Sequence, residues 1–266
     1  MQLKAEPVSP DTLIDLKLAY LRTLCAPLDG MWESGFLPLS QHWAILYRDR
    51  MVGYYCVDSD KALLQFYLPD ALALQGPAFL DGLISLGQVT SAYAGTNEPG
   101  FLALCLDRQK AVSVHTYLFS DGFQDAVHPE SSDHPRLRLT DFSETERVVR
   151  FIERNTESRG GWVRGYLRRL IERGESYLME ADGRILGTGE CRVSDSQPPY
   201  VDLGMIVDKK FRGQGVATAI LLQMKALCHS RVQRPICSTT VENVAARKAI
   251  EKAGFIARHR ILQIQF

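Results

Sequence analysis

Apolar positions in the first 119 residues recur with the spacings of one helix followed by several strands. Leucines two or three residues apart between Leu13 and Leu24 predict a helix, with Ser9 or Asp11 as its cap and Pro27 beyond its end. Three strand-like runs separated by short polar turns then predict an antiparallel meander. The predicted strands are 42–47, 51–57, 62–68, 91–94 and 111–119, and the later predicted helices are 77–86 and 101–108.

A second series of elements begins near residue 137. Ser143 and Glu146 match an S-x-x-E capping box, which predicts a helix carrying Val148, Val149 and Ile152. Both halves share the order helix, two or three antiparallel strands, helix, strand, helix, strand, so we predict an α/β fold of the α+β type. The further predicted strands are 137–139, 177–180, 185–193, 200–207, 235–239 and 256–266, and the further helices are 162–173, the run after Gly215, and 243–253.

The segment between the two series is polar and contains no apolar periodicity. Residues 120–135 include two prolines, which is typical of a linker or boundary. The length of the chain also allows two domains, each with its own core. We therefore predict a first domain at 1–128, a linker at 129–135 and a second domain at 136–266.

Charge is distributed unevenly along the chain, although the formal net charge is zero. Residues 1–133 contain 8 basic and 16 acidic residues, a formal charge of −8, and residues 134–266 carry +8. This asymmetry favours separate modules, electrostatic docking of the two halves, or a polyanionic ligand on the basic half. The alternative is that both charged faces are simply solvated.

Six cysteines are scattered without a CxxC motif or a metal-like histidine spacing. They are predicted to be reduced thiols, mostly in the core, and no metal site is expected. No apolar run reaches the roughly 18 residues of a membrane span, and the N-terminus lacks a basic stretch followed by an apolar one. These features predict a cytoplasmic protein without a membrane partner.

A glycine-containing turn lies between the apolar strand 200–207 and the following apolar helix. Gly213 and Gly215 allow the backbone to turn tightly, and the first N–H groups of the helix lack internal partners. Lys209, Lys210 and Arg212 add positive charge, so the turn is suited to an anion. It is neither a Walker A loop nor a dinucleotide fingerprint, because both glycine spacings are absent.

The same turn matches the pattern [RQ]-x-x-G-x-[GA] at Arg212, Gly215 and Ala217, after YVDLGMIV. Downstream, NVAARKAIEKAGF combines N-x-x-A at Asn243 and Ala246 with a final E-K-x-G-F. In these two motifs the chain resembles the GNAT superfamily of N-acetyltransferases. The resemblance covers Leu137 to Phe266, and the order of predicted elements agrees throughout.

The resemblance implies a mixed, mostly antiparallel sheet flanked by helices, in which two central strands splay apart around acetyl-CoA. Backbone amides near Ile206 and Val207 would hold the pantetheine and face the acetyl carbonyl, where an amide can stabilise developing negative charge. Asn243 has an alternative role as a helix N-cap without a ligand. The remaining residues implied to bind the cofactor are Arg212, Gly213, Gln214, Gly215, Val216, Ala217, Thr218 and Ala246.

The catalytic groups implied are a base on the central strands and an acid for the leaving thiolate. Asp202 is the first candidate for the base and Glu190 the second. Which of the two side chains enters the cleft depends on strand register, because a shift of one residue reverses the answer. Ile250 occupies the position where many relatives carry the tyrosine that acts as the acid. Water, Tyr200 or a hydroxyl of 238–240 would replace it, or the thiolate leaves unassisted.

The first half resembles a degenerate GNAT-like domain, in a tandem arrangement, because residues 62–119 repeat the strand and helix order of the second half. The segment at the position of the coenzyme A loop has no basic residue, and Asp70 and Asp81 would repel a pyrophosphate. An acidic first half favours a cationic acceptor. The aromatic residues predicted to be exposed and able to line such a pocket are Trp32, Trp43, Tyr54, Tyr55 and Trp162.

These features favour an acetyl-CoA-dependent N-acetyltransferase that acts by direct attack of a primary amine in a ternary complex. The acceptor would be a small-molecule or lysine-type amine, and the protein a monomer or homodimer. A non-catalytic coenzyme A-binding sensor or interaction module is the alternative. Nucleic-acid binding is disfavoured, because the arginines between Arg147 and Arg173 alternate with glutamates rather than forming a phosphate track.

Overall fold

The computed structural model describes residues 3–122 and 134–266, and the chain forms two compact units. The first unit contains Met1–Leu118 and Arg258–Phe266, and the second contains Phe119–Ala257. Most of the predicted linker 129–135 lies outside the described residues. The predicted second domain included 258–266, whereas in the structure Ile261 and Ile264 belong to the apolar cores of the first unit.

The first part of the chain forms six strands and four α-helices. Successive strands β1 to β4 pair antiparallel, β4 pairs parallel with β5, and β5 pairs antiparallel with the C-terminal strand. The predicted meander is confirmed. The elements are β1 (Lys4–Pro7), α1 (Ile14–Leu21), α2 (Leu37–Leu39), β2 (Gln41–Tyr47), β3 (Arg50–Val57), β4 (Ala62–Tyr67), α3 (Gly76–Ser85), β5 (Ser91–Gly95), α4 (Pro99–Leu106) and β6 (Ala111–Asp121).

Alternating side chains of β3 enter two different cores in the first unit. Tyr55 packs with α3 and α4 residues on one face, and Tyr54 packs with α1 residues on the other. The prediction that Tyr54, Tyr55 and Trp32 are exposed is wrong, because all three are buried. Period-two alternation places both tyrosines against helices, since both faces of this sheet are covered.

Glu98 is a buried carboxyl group at the start of α4. It accepts hydrogen bonds from the Tyr20 hydroxyl and from the Gly95 N–H, the latter at 2.6 Å. Burial raises the pKa of Glu98 to about 7 from an ordinary 4.5, although both hydrogen bonds act in the opposite direction. Folding therefore favours the protonated form of the Glu98 carboxyl group below neutral pH.

We expect the stability of the first unit to fall as pH rises from about 4.5 to about 7, because the unfolded state loses this proton first. The full change corresponds to about 3 kcal/mol of unfolding free energy. Urea unfolding at pH 5 and pH 8 should show this decrease in the wild type and a smaller one in Glu98→Gln. An equal pH dependence in both proteins would contradict the assignment.

The second unit contains a sheet with strand order β11-β10-β9-β8-β7. All neighbouring pairs are antiparallel except β10 and β11, which are parallel. The elements of this part of the chain are β7 (Arg138–Leu139), α5 (Thr145–Asn155), α6 (Gly161–Glu172), β8 (Ser176–Ala181), β9 (Arg184–Val193), β10 (Tyr200–Val207), α7 (Val216–Ser230), β11 (Arg234–Thr240), α8 (Val244–Lys252) and β12 (Phe255–Gln265). Most of β12 belongs to the first unit, where it pairs with β5.

The capping box before α5 lies two residues earlier than the sequence predicted. Asp141 accepts from the Ser143 N–H at 2.9 Å, and the Asp141 N–H donates to Glu144 at 3.0 Å. The predicted pair Ser143 and Glu146 is therefore wrong. A short 3-10 turn at Phe142–Glu144 precedes the α-helix, and Asp-x-x-Glu caps that turn instead.

Gly187 of β9 lies directly under α7. A Cβ there would come within 2.6 Å of Ile220 Cδ1 and 2.9 Å of the Ile206 carbonyl oxygen, and the carbonyl belongs to rigid backbone. We expect Gly187→Ala to lower the unfolding free energy by about 1–3 kcal/mol because of overpacking. Gly165→Ala is the matched control, since a Cβ on that exposed helical position meets nothing within 4 Å. Urea titration of both variants checks this.

A buried ion pair lies in the second unit, between β6 and α7. Lys225 and Asp121 side chains are 1% and 3% exposed, and Lys225 Nζ lies 2.6 Å from Asp121 Oδ1. His229 Nε2 approaches the other carboxylate oxygen at the same distance. The ammonium group also lies over the Phe255 ring, 5.3 Å from its centre.

The charges of the two folded units are much closer than those of the two halves of the sequence. Arg258 and Arg260 belong to the first unit, which then holds 10 basic and 12 acidic residues. The second unit holds 21 basic and 19 acidic residues. The predicted contrast of −8 against +8 thus becomes −2 against +2, so charge at any site must be judged from its lining residues.

The six cysteines are free, and five of them are buried, as expected for core thiols. Within the residues that the structure describes, no helix has the length and apolar character needed to cross a membrane.

Candidate active site

The parallel strands β10 and β11 pair only at the beginning of β10. Their register joins Tyr200, Val201 and Asp202 to Arg234, Pro235 and Ile236, and β10 then continues to Val207. A cleft of about 630 Å³ lies against this continuing part of β10 and between α7 and α8. The splayed pair of strands that the sequence predicted is therefore present.

The turn between β10 and α7 has the backbone conformation that glycine permits. Gly213 and Gly215 have φ angles of +77° and +84°, and Gly215 immediately precedes the first residue of α7. This helix has glycine as its N-cap and so receives no capping hydrogen bond from the side chain of that residue. Its first N–H groups thus remain available to an anion, and the helix dipole favours negative charge at the same place.

Side chains from α5 hold this turn against the end of β10. Asn155 is buried, and its Oδ1 accepts from the Lys209 N–H at 2.9 Å. The Arg212 guanidinium donates to the carbonyls of Asn155, at 2.8 Å, and Val207, at 3.4 Å. Arg212 lines the cleft, yet these hydrogen bonds give it a role in shaping the turn as well as in supplying charge.

The opposite wall of the cleft is formed by α8. Asn243 accepts from the Ala246 N–H at 3.2 Å, so it is the N-cap of α8 while also lining the cleft. Lys248 and Lys252 lie one turn apart on the cleft side of this helix. These two lysines were not predicted from the sequence. They are four residues apart, as are Ala245 and Ala249, and this spacing indicates two small and two basic residues along one side of the helix.

Ten of the eleven predicted cofactor-binding residues line this cleft. The exception is Gln214, whose side-chain amide donates to the Lys210 carbonyl at 3.0 Å and so closes the turn. The further lining residues, which were not among the predicted binding residues, are Asn155, Thr156, Met205, Phe211, Ala245, Lys248, Ala249 and Lys252. Asn155 and Thr156 end α5, and only the tertiary fold brings them to the site.

The two candidate bases lie together in a polar network on one face of β9 and β10, outside the lining of the cleft. Asp202 is 5% exposed and forms an ion pair with Arg192 at 2.5 Å. Glu190 accepts from the Tyr166 hydroxyl at 2.7 Å, and Arg192 donates to the same hydroxyl at 2.8 Å. Tyr166, from α6, was not singled out by the sequence.

Gly204 provides the space that Glu190 occupies. The two residues face each other across the strand pair, and a Cβ on Gly204 would lie 3.1 Å from a Glu190 carboxylate oxygen. Burial, and then the negative charge of Glu190, raise the pKa of Tyr166 far above its usual value of 10. Tyr166 is therefore a neutral hydroxyl that donates to Glu190 across the working range of an enzyme.

Ile250 is 1% exposed and packs in the core, so the position of the usual tyrosine holds no proton donor. The alternative donors Tyr200 and the hydroxyls of 238–240 are also outside the lining of the cleft.

Comparison with known families matches both units. A family model described as an acetyltransferase (GNAT) domain matches residues 9–122, and a second model with the same description matches residues 127–256. No curated protein matches the chain.

Solved structures give the same result over the whole length. An acetyltransferase from the GNAT family of Colwellia psychrerythraea is 34% identical, with a TM-score of 0.93 and 99% of both chains covered. A GCN5-related N-acetyltransferase from Sphaerobacter thermophilus has a TM-score of 0.66 at 15% identity, covering 98% of this chain and 94% of that one.

A tandem GNAT protein from the clavulanic acid biosynthesis pathway has a TM-score of 0.64 at 15% identity, covering 98% of this chain and 97% of that one. At this identity the last two structures show the fold alone. The match to residues 9–122 confirms that the first half is also a GNAT-like domain, as its order of elements predicted. The chain therefore belongs to the GNAT acetyltransferase superfamily and carries two GNAT domains in tandem.

Proposed function

We propose that the second unit transfers an acetyl group from acetyl-CoA to a primary amine. The observation that carries this proposal is the uncapped N-terminus of α7 behind Gly213 and Gly215, opening into a cleft beside a splayed strand. This cradle fits a pyrophosphate, because backbone amides and the helix dipole both favour an anion there. Lys248 and Lys252 on the facing helix add positive charge.

The strand end at Met205, Ile206 and Val207 would hold the pantetheine. Beyond Asp202 this edge of β10 is not paired with β11, so its amides can bind a ligand as a further strand would. Acetyl-CoA supplies an activated thioester carbonyl. An amide aimed at its oxygen would stabilise the negative charge that develops when an amine attacks.

Glu190 is the better candidate for the general base, which reverses the order given by the sequence. Asp202 is more deeply buried, and its Oδ2 is held by Arg192 at 2.5 Å. Glu190 has its nearest guanidinium contact at 3.8 Å and lies beside Gly204, one residue before the cleft-lining Met205. In this proposal Asp202 orients Arg192, Arg192 and Tyr166 orient Glu190, and a water relays the proton from the amine.

The thiolate would leave without a side-chain acid. Ile250 cannot donate a proton, and a thiolate is a tolerable leaving group near neutral pH. The acceptor is a small-molecule or lysine-type amine, as the proposed chemistry requires a nucleophilic nitrogen. A cationic amine would deliver its proton to the Glu190 network before attack.

Glu190→Gln tests this assignment. We expect acetyl-CoA affinity to be unchanged and kcat to fall about 100-fold, because only proton removal is lost. Free-thiol release with a library of amines measures the rate, and calorimetry measures the affinity.

Glu172→Gln is the matched control, since this exposed glutamate lies on α6 outside the network. A fall of about 100-fold in kcat for Asp202→Asn, together with full activity in Glu190→Gln, would reassign the base to Asp202. Tight acetyl-CoA binding without thiol release from any amine would overturn the transferase and favour the sensor.

A further inference from the structure

The first unit contains a cavity built from the same parts of the fold as the cleft of the second unit. Parallel pairing of β4 and β5 covers Ala62 and Leu63, and β4 then continues to Tyr67. A cavity of about 330 Å³ lies beside this continuing strand and is lined by the start of α3, by α4 and by the end of α1. The topology of the two units therefore places a pocket at equivalent positions.

In the part of the chain that the structure describes, this cavity lacks the positive-φ glycine turn and the basic side chains that suit a pyrophosphate in the second unit. Pro77 is at the first turn of α3 and removes one backbone donor, and Gly76 has φ of −55° rather than a positive value. A 3-10 helix at Asp70–Gln75 takes the place of the glycine turn. Among the described residues that line the cavity there is no lysine, arginine or histidine.

The lining instead combines aromatic rings with carboxylates. Phe66, Tyr67, Phe101 and Tyr20 contribute rings, and the Tyr20 and Tyr67 rings meet edge to face, 6.2 Å apart. Ring faces attract cations through their quadrupole. Asp70 and Asp107 contribute two exposed carboxylates, and neither is ion-paired within the described chain.

The helix ends at this cavity carry partial charges of both signs, because the N-terminus of α3 lines it together with the C-terminal ends of α4 and α1. Asp107 is the C-cap of α4, where the partial charge of the helix is negative. Its carboxylate therefore adds a second negative charge at the same place. The C-terminal end of α1 reaches the same cavity through Tyr20 and Thr23. Arg108 already donates to the Leu104 carbonyl in the last turn of α4, and the α3 N-terminus opposes a cation, so stabilisation of a cation here would come from the carboxylates and the rings.

We propose that this cavity binds a small organic cation with an apolar body, of the arylalkylamine class. The rings would enclose the apolar body and the carboxylates would face the ammonium group. The site is separate in sequence and chemistry from the acetyl-CoA cleft, and the proposal does not depend on acetyl transfer.

Calorimetry on the full chain tests the proposal, with phenethylamine as the probe and uncharged 2-phenylethanol as its isostere. We expect phenethylamine to bind at least 10-fold more tightly than the alcohol, and the double variant Asp70→Asn/Asp107→Asn to lose that preference. Asp60→Asn, an exposed aspartate in the β3–β4 turn, should bind like the wild type. Tyr67→Leu should weaken both ligands.

Glu190→Gln separates this cavity from the proposed acceptor site. Phenethylamine binding that persists in Glu190→Gln and is lost in Asp70→Asn/Asp107→Asn supports the cavity in the first unit. Binding that is lost in Glu190→Gln and unaffected by the double variant overturns it, as does equal affinity for the amine and the alcohol. Absence of detectable phenethylamine binding to the wild type also overturns it.

Discussion

Gly213→Glu is expected to weaken acetyl-CoA binding at least about 1000-fold, or about 4 kcal/mol. Gly213 lines the cleft with a φ of +77°, and a Cβ there meets no atom within 4 Å. The new carboxylate would therefore fit the fold and occupy the cradle that we propose binds a pyrophosphate. Like-charge repulsion beside an uncapped helix N-terminus adds to the steric exclusion.

Gly183→Glu is a closely matched control for this variant. Gly183 has a φ of +71°, its Cβ position is also open, and it lies in the β8–β9 turn outside the cleft lining. Both substitutions impose a left-handed glutamate, which costs about 1 kcal/mol of stability or somewhat more. Isothermal calorimetry should show wild-type affinity in Gly183→Glu, and equal weakening in both variants would refute the cradle.

Asp121→Asn is expected to lower the unfolding free energy of the second unit by about 3–5 kcal/mol. The change leaves the Lys225 ammonium, 1% exposed, without its carboxylate at 2.6 Å. The Ala253 carbonyl at 3.4 Å and the Phe255 ring offer only weak compensation. Urea unfolding monitored by circular dichroism measures the loss.

A second substitution distinguishes lost charge pairing from a general packing defect. Asp121→Asn/Lys225→Met removes both charges, so it should recover most of the lost stability. Glu251→Gln, in the exposed Arg247–Glu251 pair, should change stability by less than about 0.5 kcal/mol. A double variant as unstable as Asp121→Asn alone would show that the carboxylate acts through packing.

Local signals predicted the central elements of the second unit closely. The apolar run 200–207 becomes β10 with the same bounds. A short apolar run that ends at a polar, glycine-containing turn is typical of a buried strand. The turn at Gly213 and Gly215 could also be predicted from local sequence, because its backbone requires positive φ angles, which glycine adopts readily.

Features that depend on contacts between distant parts of the chain could not be predicted from the sequence. Asn155 reaches the turn only because α5 ends beside Lys209, and Tyr166 meets Glu190 only through packing of α6 on β9. The proposed ranking of Glu190 above Asp202 as the general base depends on the ion pair of Asp202 with Arg192. Strand register sets the partners of Arg192. The burial of Glu98 and Lys225 likewise arises from tertiary packing.

The last nine residues of the chain belong to the first unit, and this constrains the order in which the protein can fold on the ribosome. Domains generally fold from the N-terminus as they emerge. Here Ile261 and Ile264 complete the cores of the first unit, and the whole of 119–257 is translated before them. The first unit can therefore complete its sheet only after the whole of the second unit has been synthesised.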